Sequence, residues 1–280
     1  MEFDRRAFFS TLGGTAAIGL MSDEAKADAL EDYMMSALDS AVDDQQSGGA
    51  AAEPEATKFP TRAEVEAQIE TRPVRRGVGS IFAGGRGNVR RLPPMPEKPT
   101  LLDFYNLRFN GVANHVLQSA NRALKTGMTE EVVFACLLHD VVQTLIKVDH
   151  GWWGAQMFEP YVSEKVTFAI RYHQALRFYE DPANGYEYPD LYRTTFGSDY
   201  KPDAYIESTY KMVRNHKWYM EPRLVTVNDL YAFDPGVKVT IDPFIEIIGR
   251  QFKQPKEGLG YDNSPVAHMW RSMIKPDSPL

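Results

Sequence analysis

Cys136 is the single cysteine in a chain of 280 residues, which excludes an intramolecular disulfide framework and any Cys-rich zinc site. It sits in an apolar run and is expected to be a buried thiol that packs as a small hydrophobe. A basic excess is also missing. Lys+Arg number 31 against 38 Asp+Glu, a net charge of −7, so no nucleic-acid partner is expected. No apolar run reaches bilayer length; the longest candidate, Phe8 to Met21, has about 14 residues where a span needs about 20. Internal repeats and convincing alternating strands are absent. "GVGSIFAGG" places Phe82 where a dinucleotide-binding loop needs its third glycine, and no clear strand precedes it. What is present is 43% apolar and 12% aromatic residues, enough for one large domain with a tail.

The first residues, "MEFDRRAFFSTLGGTAAIGLM", carry the pair Arg5-Arg6, then Phe8-Phe9 and a weakly apolar Gly/Ala/Thr-rich stretch. This resembles a twin-arginine export signal, which implies passage of a folded, cofactor-loaded chain to the periplasm or outside through that export machinery. "AKA" at Ala25 to Ala27 offers a cleavage site, giving a signal over 1–27 and a mature start near Asp28. Residues 28–100 read as a flexible linker and extended arm, with the polar "DDQQSGGAAAEPEA" and six arginines between Arg72 and Arg91.

Helical spacing begins at Leu101. Val112, Val116, Leu117, Ala120 and Leu124 recur every three or four residues up to the stop at Gly127. Thr129 caps the next helix, with Glu130 and Glu131 in its first turn, and this helix runs through "ACLLHDVV". Ser163 and Glu164 open another, "EKVTFAIRYHQALRFYE". Further helical patterns are "PDAYIESTYKMVRNHKW", "EPRLVTVNDLYAF" and "DPFIEIIGRQFK". The Tyr-, Pro- and Gly-rich stretch from Asp181 to Tyr200 reads as a long loop. The expectation is an all-α helical domain over 101–255 with an irregular extension over 256–280.

Four of the six histidines, His115, His139, His150 and His173, fall within 59 residues. His115 lies on the first helix, His139-Asp140 near the end of the second, His150 in the connecting segment and His173 midway along the third. An antiparallel bundle can turn these side chains into one interior. Imidazoles with a carboxylate are a ligand set for iron, manganese or zinc. The two oxygens of Asp140 allow it to bridge two ions, and metal charge removes the cost of burying it.

The order His…His-Asp…His…His…Asp resembles the HD-domain metalloproteins in their two-metal form. Spacings are 24 residues from His115 to His139, 11 on to His150 and 23 on to His173. "LDFYNLRFNGVANHVLQSANRALKTG", "HGWWGAQMF" and "RYHQALRFY" resemble the histidine regions of the HD-domain di-iron oxygenases. That group includes myo-inositol oxygenase and the oxygenase that cleaves 2-amino-1-hydroxyethylphosphonate. The likeness runs from about Leu101 to Tyr179 and fades afterwards. It implies an HD-domain helical bundle, a mixed-valent pair of iron ions (alternatively manganese or zinc), and His115, His139, Asp140, His150, His173 and a final aspartate as ligands. For that last position "NDLYAF" offers Asp229 and "FDPG" offers Asp234. Asp229 is favoured, because its Asp-Leu-Tyr trio resembles the final-ligand region of myo-inositol oxygenase, while Asp234 before Pro235 looks like a turn residue.

The same likeness marks Tyr105 and Arg177 as catalytic or substrate-contacting. Arg177 lies one turn after His173 with a planar fork suited to phosphonate or carboxylate; a salt bridge is its ordinary alternative. Arg108 stands in place of a glutamate, which argues against an amino-phosphonate substrate. Asp140 is followed by Val141, Val142 and Gln143 rather than the commoner Gly-Lys/His continuation, which weakens a phosphohydrolase reading. Implied first is an O2-dependent oxygenase acting on a small anionic or polyol substrate. An HD-type metal-dependent phosphohydrolase comes second, and an exported non-catalytic binding protein third. Trp152 and Trp153 either wall the site or pack; His216 and His268 lie outside the metal pattern.

Overall fold

Thr100 caps the first helix of the bundle in the computed structural model, which describes residues 27–31, 33–35, 38, 93–96, 99–147, 149–197 and 199–253. Its side chain accepts from the Asp103 amide while Asp103 reaches back to the Thr100 amide, a reciprocal cap that satisfies two orphan donors. Helix α1 (Leu101–Leu107) follows, then α2 (Ala113–Lys125). Thr129 and Ser163 cap α3 (Glu130–Leu138) and α5 (Glu164–Leu176) by accepting from the amides three residues on, as their sequence positions predict. Helices α7 (Ala204–Arg214), α8 (Met220–Leu230) and α9 (Ile245–Gln251) complete the expected set. Among the described residues there is no strand, only an isolated bridge between Asp181 and Tyr186. The fold is all-α, and no helix among these residues is long and apolar enough to cross a membrane.

Three local expectations change. His150 does not lie in a connecting segment; it opens α4 (His150–Phe158). With two glycines and two tryptophans in nine residues, "HGWWGAQMF" has weak intrinsic helicity, and packing decides its state. A Cβ on Gly151 would meet the Gln174 Oε1 at 2.7 Å and the Ile170 carbonyl at 2.9 Å, so only glycine lets α4 approach α5 this closely. The segment from Asp181 to Tyr200 contains α6 (Asp190–Phe196), started by Pro189 and held by burial of Tyr192 in an aromatic cluster with Phe178 and Ile206.

The third change is the largest. Residues 28–100 read as a flexible arm, yet every described position between 27 and 38 is helical. Ala27, Leu30 and Leu38 are buried, with Leu30 in the Phe178–Tyr192 cluster and Met35 in the main core. Three residues, Leu30, Met35 and Leu38, were too sparse a pattern to outweigh the polar stretch that follows. Of the expected signal over 1–27 the structure describes Ala27 alone, which is helical and buried; its other residues and the extension over 256–280 lie outside the described residues.

Helix α5 is the hub, packing on α3, α4, α7 and α8. Its C-terminal end is fastened by Arg223, a fully buried side chain. The guanidinium donates to the Leu176 and Tyr179 carbonyls at 3.2 and 3.0 Å and to the Tyr219 hydroxyl at 3.0 Å. Leu176 is the last residue of α5, and its carbonyl also accepts from the Tyr179 amide at 3.1 Å, so the guanidinium clamps the turn that leaves the helix. Arg223→Met is expected to lower the unfolding free energy of the full chain by about 3–5 kcal/mol, since it strands buried polar partners; urea unfolding monitored by circular dichroism checks this.

Candidate metal centre

Each of four helices contributes an imidazole to one buried point. His115 comes from α2, His139 from the C-cap of α3, His150 from the first position of α4 and His173 from α5. All four are at most 1% exposed, as is Asp140; Asp229 on α8 is 6% exposed. The turn that ends α3 puts His139 and Asp140 side by side, because the chain passes from helix into the 3-10 turn Val141–Thr144 there.

The imidazole orientations follow one rule. The Nδ1 atoms of His115, His139, His150 and His173 lie against the carbonyls of Ala232, Cys136, Lys147 and Ile170 at 3.2, 2.9, 3.2 and 2.7 Å. A carbonyl only accepts, so the Nδ1 atoms of His115, His139 and His173 carry a proton and donate, while His150 Nδ1 also lies 3.1 Å from the Gln174 side-chain nitrogen. Four Nε2 atoms are then left facing the centre. Backbone support of this kind fixes the tautomer and aim of a metal-binding imidazole.

Asp140 divides the four into two sets. Its Oδ2 lies 3.3 Å from His115 Nε2 and 3.3 Å from His139 Nε2. Its Oδ1 lies 3.0 Å from His150 Nε2 and 3.4 Å from His173 Nε2. Asp229 Oδ1 joins the first set, at 3.0 Å from His115 and 3.6 Å from His139. Two donors about 2.1 Å from a common ion are at most about 4.2 Å apart, and every one of these distances is shorter. The six sequence candidates thus converge as two groups sharing one carboxylate, each able to hold a metal ion. Asp229 is the aspartate in the centre. Asp234 instead accepts from the Gly236 amide in a turn.

The chemistry of these donors fits a cation. While the imidazoles are neutral their Nε2 atoms offer no proton, and neither oxygen of Asp140, nor Asp229 Oδ1, nor His173 Nε2 has a hydrogen-bond partner among the described residues. Lone pairs face lone pairs at 3.0–3.4 Å in a region shut off from water, a costly arrangement without positive charge between them. Protons supply part of it. Burial alone would depress His115 and His150, but hydrogen bonds and charge from Asp140, joined at His115 by Asp229 and at His150 by Asp28 and Glu31, lift each to about 10. Burial likewise works against Asp140 and Asp229, yet the neighbouring imidazoles hold both carboxyls below the usual range. His173 is pushed down, by burial first; a proton does not satisfy its Nε2, whereas a metal ion would.

Other expected site residues stand differently. Arg177 is 2% exposed and donates from Nη2 to Asp28 Oδ1 and from Nη1 to Glu31 Oε1, both at 2.5 Å. The anion it holds is the chain's own. Arg108 donates from Nη1 to the carbonyls of Pro93 and Leu107 at 3.0 and 2.9 Å, which ties down the segment before α1. Tyr105 is buried on α1 in the main core, and its hydroxyl has no hydrogen-bond partner among the described residues. Trp152 and Trp153 neither wall the site nor fill the core: they stack edge to face and are 47% and 36% exposed. Cys136 is buried, its thiol pushed up to about 12 by burial. His216 stacks on Phe168 at 4.2 Å, apart from the four ligand imidazoles, and His268 lies outside the described residues.

Asp28 and Glu31 are site residues that the sequence reading missed. Besides Arg177, Asp28 accepts from the Gln174 side chain at 2.8 Å and the Asp149 amide at 3.2 Å. Asp149 holds a left-handed backbone with φ of 55°, a strained conformation for aspartate that this bond helps to fix. Glu31 accepts from the Gln143 side chain at 3.3 Å. Burial, opposed by Arg177 and reinforced by Asp229 and Asp140, pushes the Glu31 carboxyl up to about 7. No spacing rule links residue 31 to residue 150. The one available signal was a pair of acids at i and i+3 ahead of a polar stretch.

Fold and donor set together define a helical protein with a buried His/Asp centre fit for metal. No family model matches the chain, and no curated protein matches it at a significant level.

Two outcomes test the centre. Asp140→Asn should cut binding at both halves, whereas Asp229→Asn should weaken the first half alone; metal content of the purified variants reads this. Because His115 and His150 hold protons up to about pH 10 in the metal-free chain, metal uptake at neutral pH must release protons. Apparent affinity should therefore rise with pH between 6 and 9, and calorimetry in buffers of different ionisation enthalpy should register the released protons.

Proposed function

We propose that this chain is an O2-dependent non-haem di-iron oxygenase of the HD-domain type, acting on a small polar, anionic or polyol substrate. The observation that carries the two-metal part is the division of labour at Asp140, whose oxygens each address a separate pair of imidazoles. The iron part accords with the donor types: imidazoles and carboxylates without a thiolate suit iron, as they suit manganese or zinc. The oxygenase class itself rests on the likeness of "NHVLQSA", "HGWWGAQMF" and "RYHQALRFY" to the HD-domain di-iron enzymes.

Bound iron would supply redox chemistry with O2 that side chains lack. The chain's own part is orientation, charge and exclusion of water. Four Nδ1–carbonyl bonds fix the imidazole planes before any ligand arrives. Asp140 and Asp229 give the centre two negative charges at neutral pH. Burial of all six ligands lowers the local dielectric, which strengthens every electrostatic contact with a bound substrate. Export in the folded state, as Arg5-Arg6 implies, accords with loading metal before the chain leaves the cytoplasm.

Purified protein is expected to hold two iron ions per chain, to give an EPR signal of a coupled pair after partial oxidation, and to consume O2 with its substrate. A chain that hydrolyses phosphoesters anaerobically with manganese would sink the oxygenase reading in favour of a phosphohydrolase.

A further inference from the structure

The two halves of the centre are unequal in the ligands named so far. The first has two imidazoles and two carboxylates, His115, His139, Asp140 and Asp229. The second has two imidazoles and one carboxylate, and its remaining side is covered by the helical segment around residue 30. Glu31 is 5% exposed and carries its carboxylate to that side. Its Oε2 lies 3.8 Å from His150 Nε2, the same nitrogen that stands 3.0 Å from Asp140 Oδ1. That is within the span of about 4.2 Å available to two donors on one ion; Glu31 groups with His150 and Asp28 but not with Asp140 and His173 within 4.8 Å, so it joins the second ion by a shift of its side chain.

We propose that Glu31 is a seventh protein ligand, the fourth of the second metal ion, supplied in trans along the chain by the N-terminal helical segment. The inference rests on the two-metal reading above. It makes the halves equivalent, each with two imidazoles and two carboxylates, with Glu31 the counterpart of Asp229.

The two oxygens of Glu31 have separate tasks. Oε1 is taken by Arg177 Nη1 at 2.5 Å and lies 3.4 Å from the Tyr192 hydroxyl. Oε2 is left toward the centre, where it accepts from the Gln143 side-chain amide at 3.3 Å. That amide nitrogen also lies 3.3 Å from His150 Nε2. His173 Nε2, buried and without a hydrogen-bond partner, points to the same half. Asp28 behaves differently: its Oδ1 approaches Nδ1 of His150, the nitrogen turned away from the centre, at 3.8 Å. Asp28 is a positioning residue for Arg177 and Gln174. Cleavage after Ala27 would leave both acids on the mature chain.

The full chain titrated with Co(II), followed by visible absorption and calorimetry, tests this. Wild-type protein should take two ions in resolvable steps. Glu31→Gln should weaken the second step on the order of 10- to 100-fold, the range for losing a supporting group at a metal site, and alter the ligand-field bands of that ion while the first step stays unchanged. Asp28→Asn also deprives Arg177 of an acid, but should leave those bands in place. An unchanged second step in Glu31→Gln, or identical spectral changes in Asp28→Asn, overturns the proposal while the two-metal reading stands. Fewer than two ions in wild type overturns both. Should Glu31→Gln fail to fold, Glu31→Asp keeps the charge for Arg177 but withdraws the oxygen by one methylene, and the same bands decide.

Discussion

Asp140 is a buried carboxylate whose oxygens have no hydrogen-bond partner among the described residues while the imidazoles around it are neutral, and the domain is arranged around making that tolerable. A lone carboxylate in a helical interior is expensive enough to change its protonation or open the fold. Here four imidazoles are brought to its two oxygens, and their Nδ1 atoms are committed to backbone carbonyls so that the Nε2 atoms face inward. The result is a cluster of lone pairs that asks for positive charge. Protons meet the demand at His115 and His150 but not at His173, whereas a pair of metal ions would meet it at all four. The same interaction therefore controls the stability of the interior and the chemistry available there.

That requirement explains features of the packing that would otherwise look wasteful. Gly151 gives up helix propensity so that α4 can lie against α5 and set His150 beside His173. Arg223, fully buried, closes the far end of α5 on the carbonyls of Leu176 and Tyr179, which keeps the helix that carries His173 and Arg177 in register with α8 and Asp229. Asp149 accepts a left-handed backbone to start α4 at the histidine itself. Each local cost is repaid by the position of a ligand.

Much of this was readable from the sequence. Caps at Thr129 and Ser163 and the three- and four-residue spacings gave α2, α3 and α5 nearly as they stand, because local hydrogen bonding and an apolar stripe act over short distances. The four histidines and Asp140 stood out for a similar reason: a polar pair inside "ACLLHDVV" has to be explained. Helix α4 was not legible, since its glycines and tryptophans form a helix through contact with α5. Arg177 was recognised as facing the site, but its partner was expected to be a substrate anion or a surface acid.

The sequence alone determined the helical class, the candidate donor types and the placement of His115, His139, Asp140, His173 and Asp229 on elements that could converge, since periodicity and residue chemistry are local properties. Tertiary structure decided which oxygen of Asp140 serves which imidazole, that Asp229 rather than Asp234 reaches the centre, and that Arg177 is buried against Asp28 and Glu31. Those are matters of distance between residues up to 149 positions apart in the chain, and no local pattern encodes them. The acids that the chain brings from its N-terminal segment owe their place to burial of Leu30, Met35 and Leu38, three contacts whose meaning appears only once the core they enter exists.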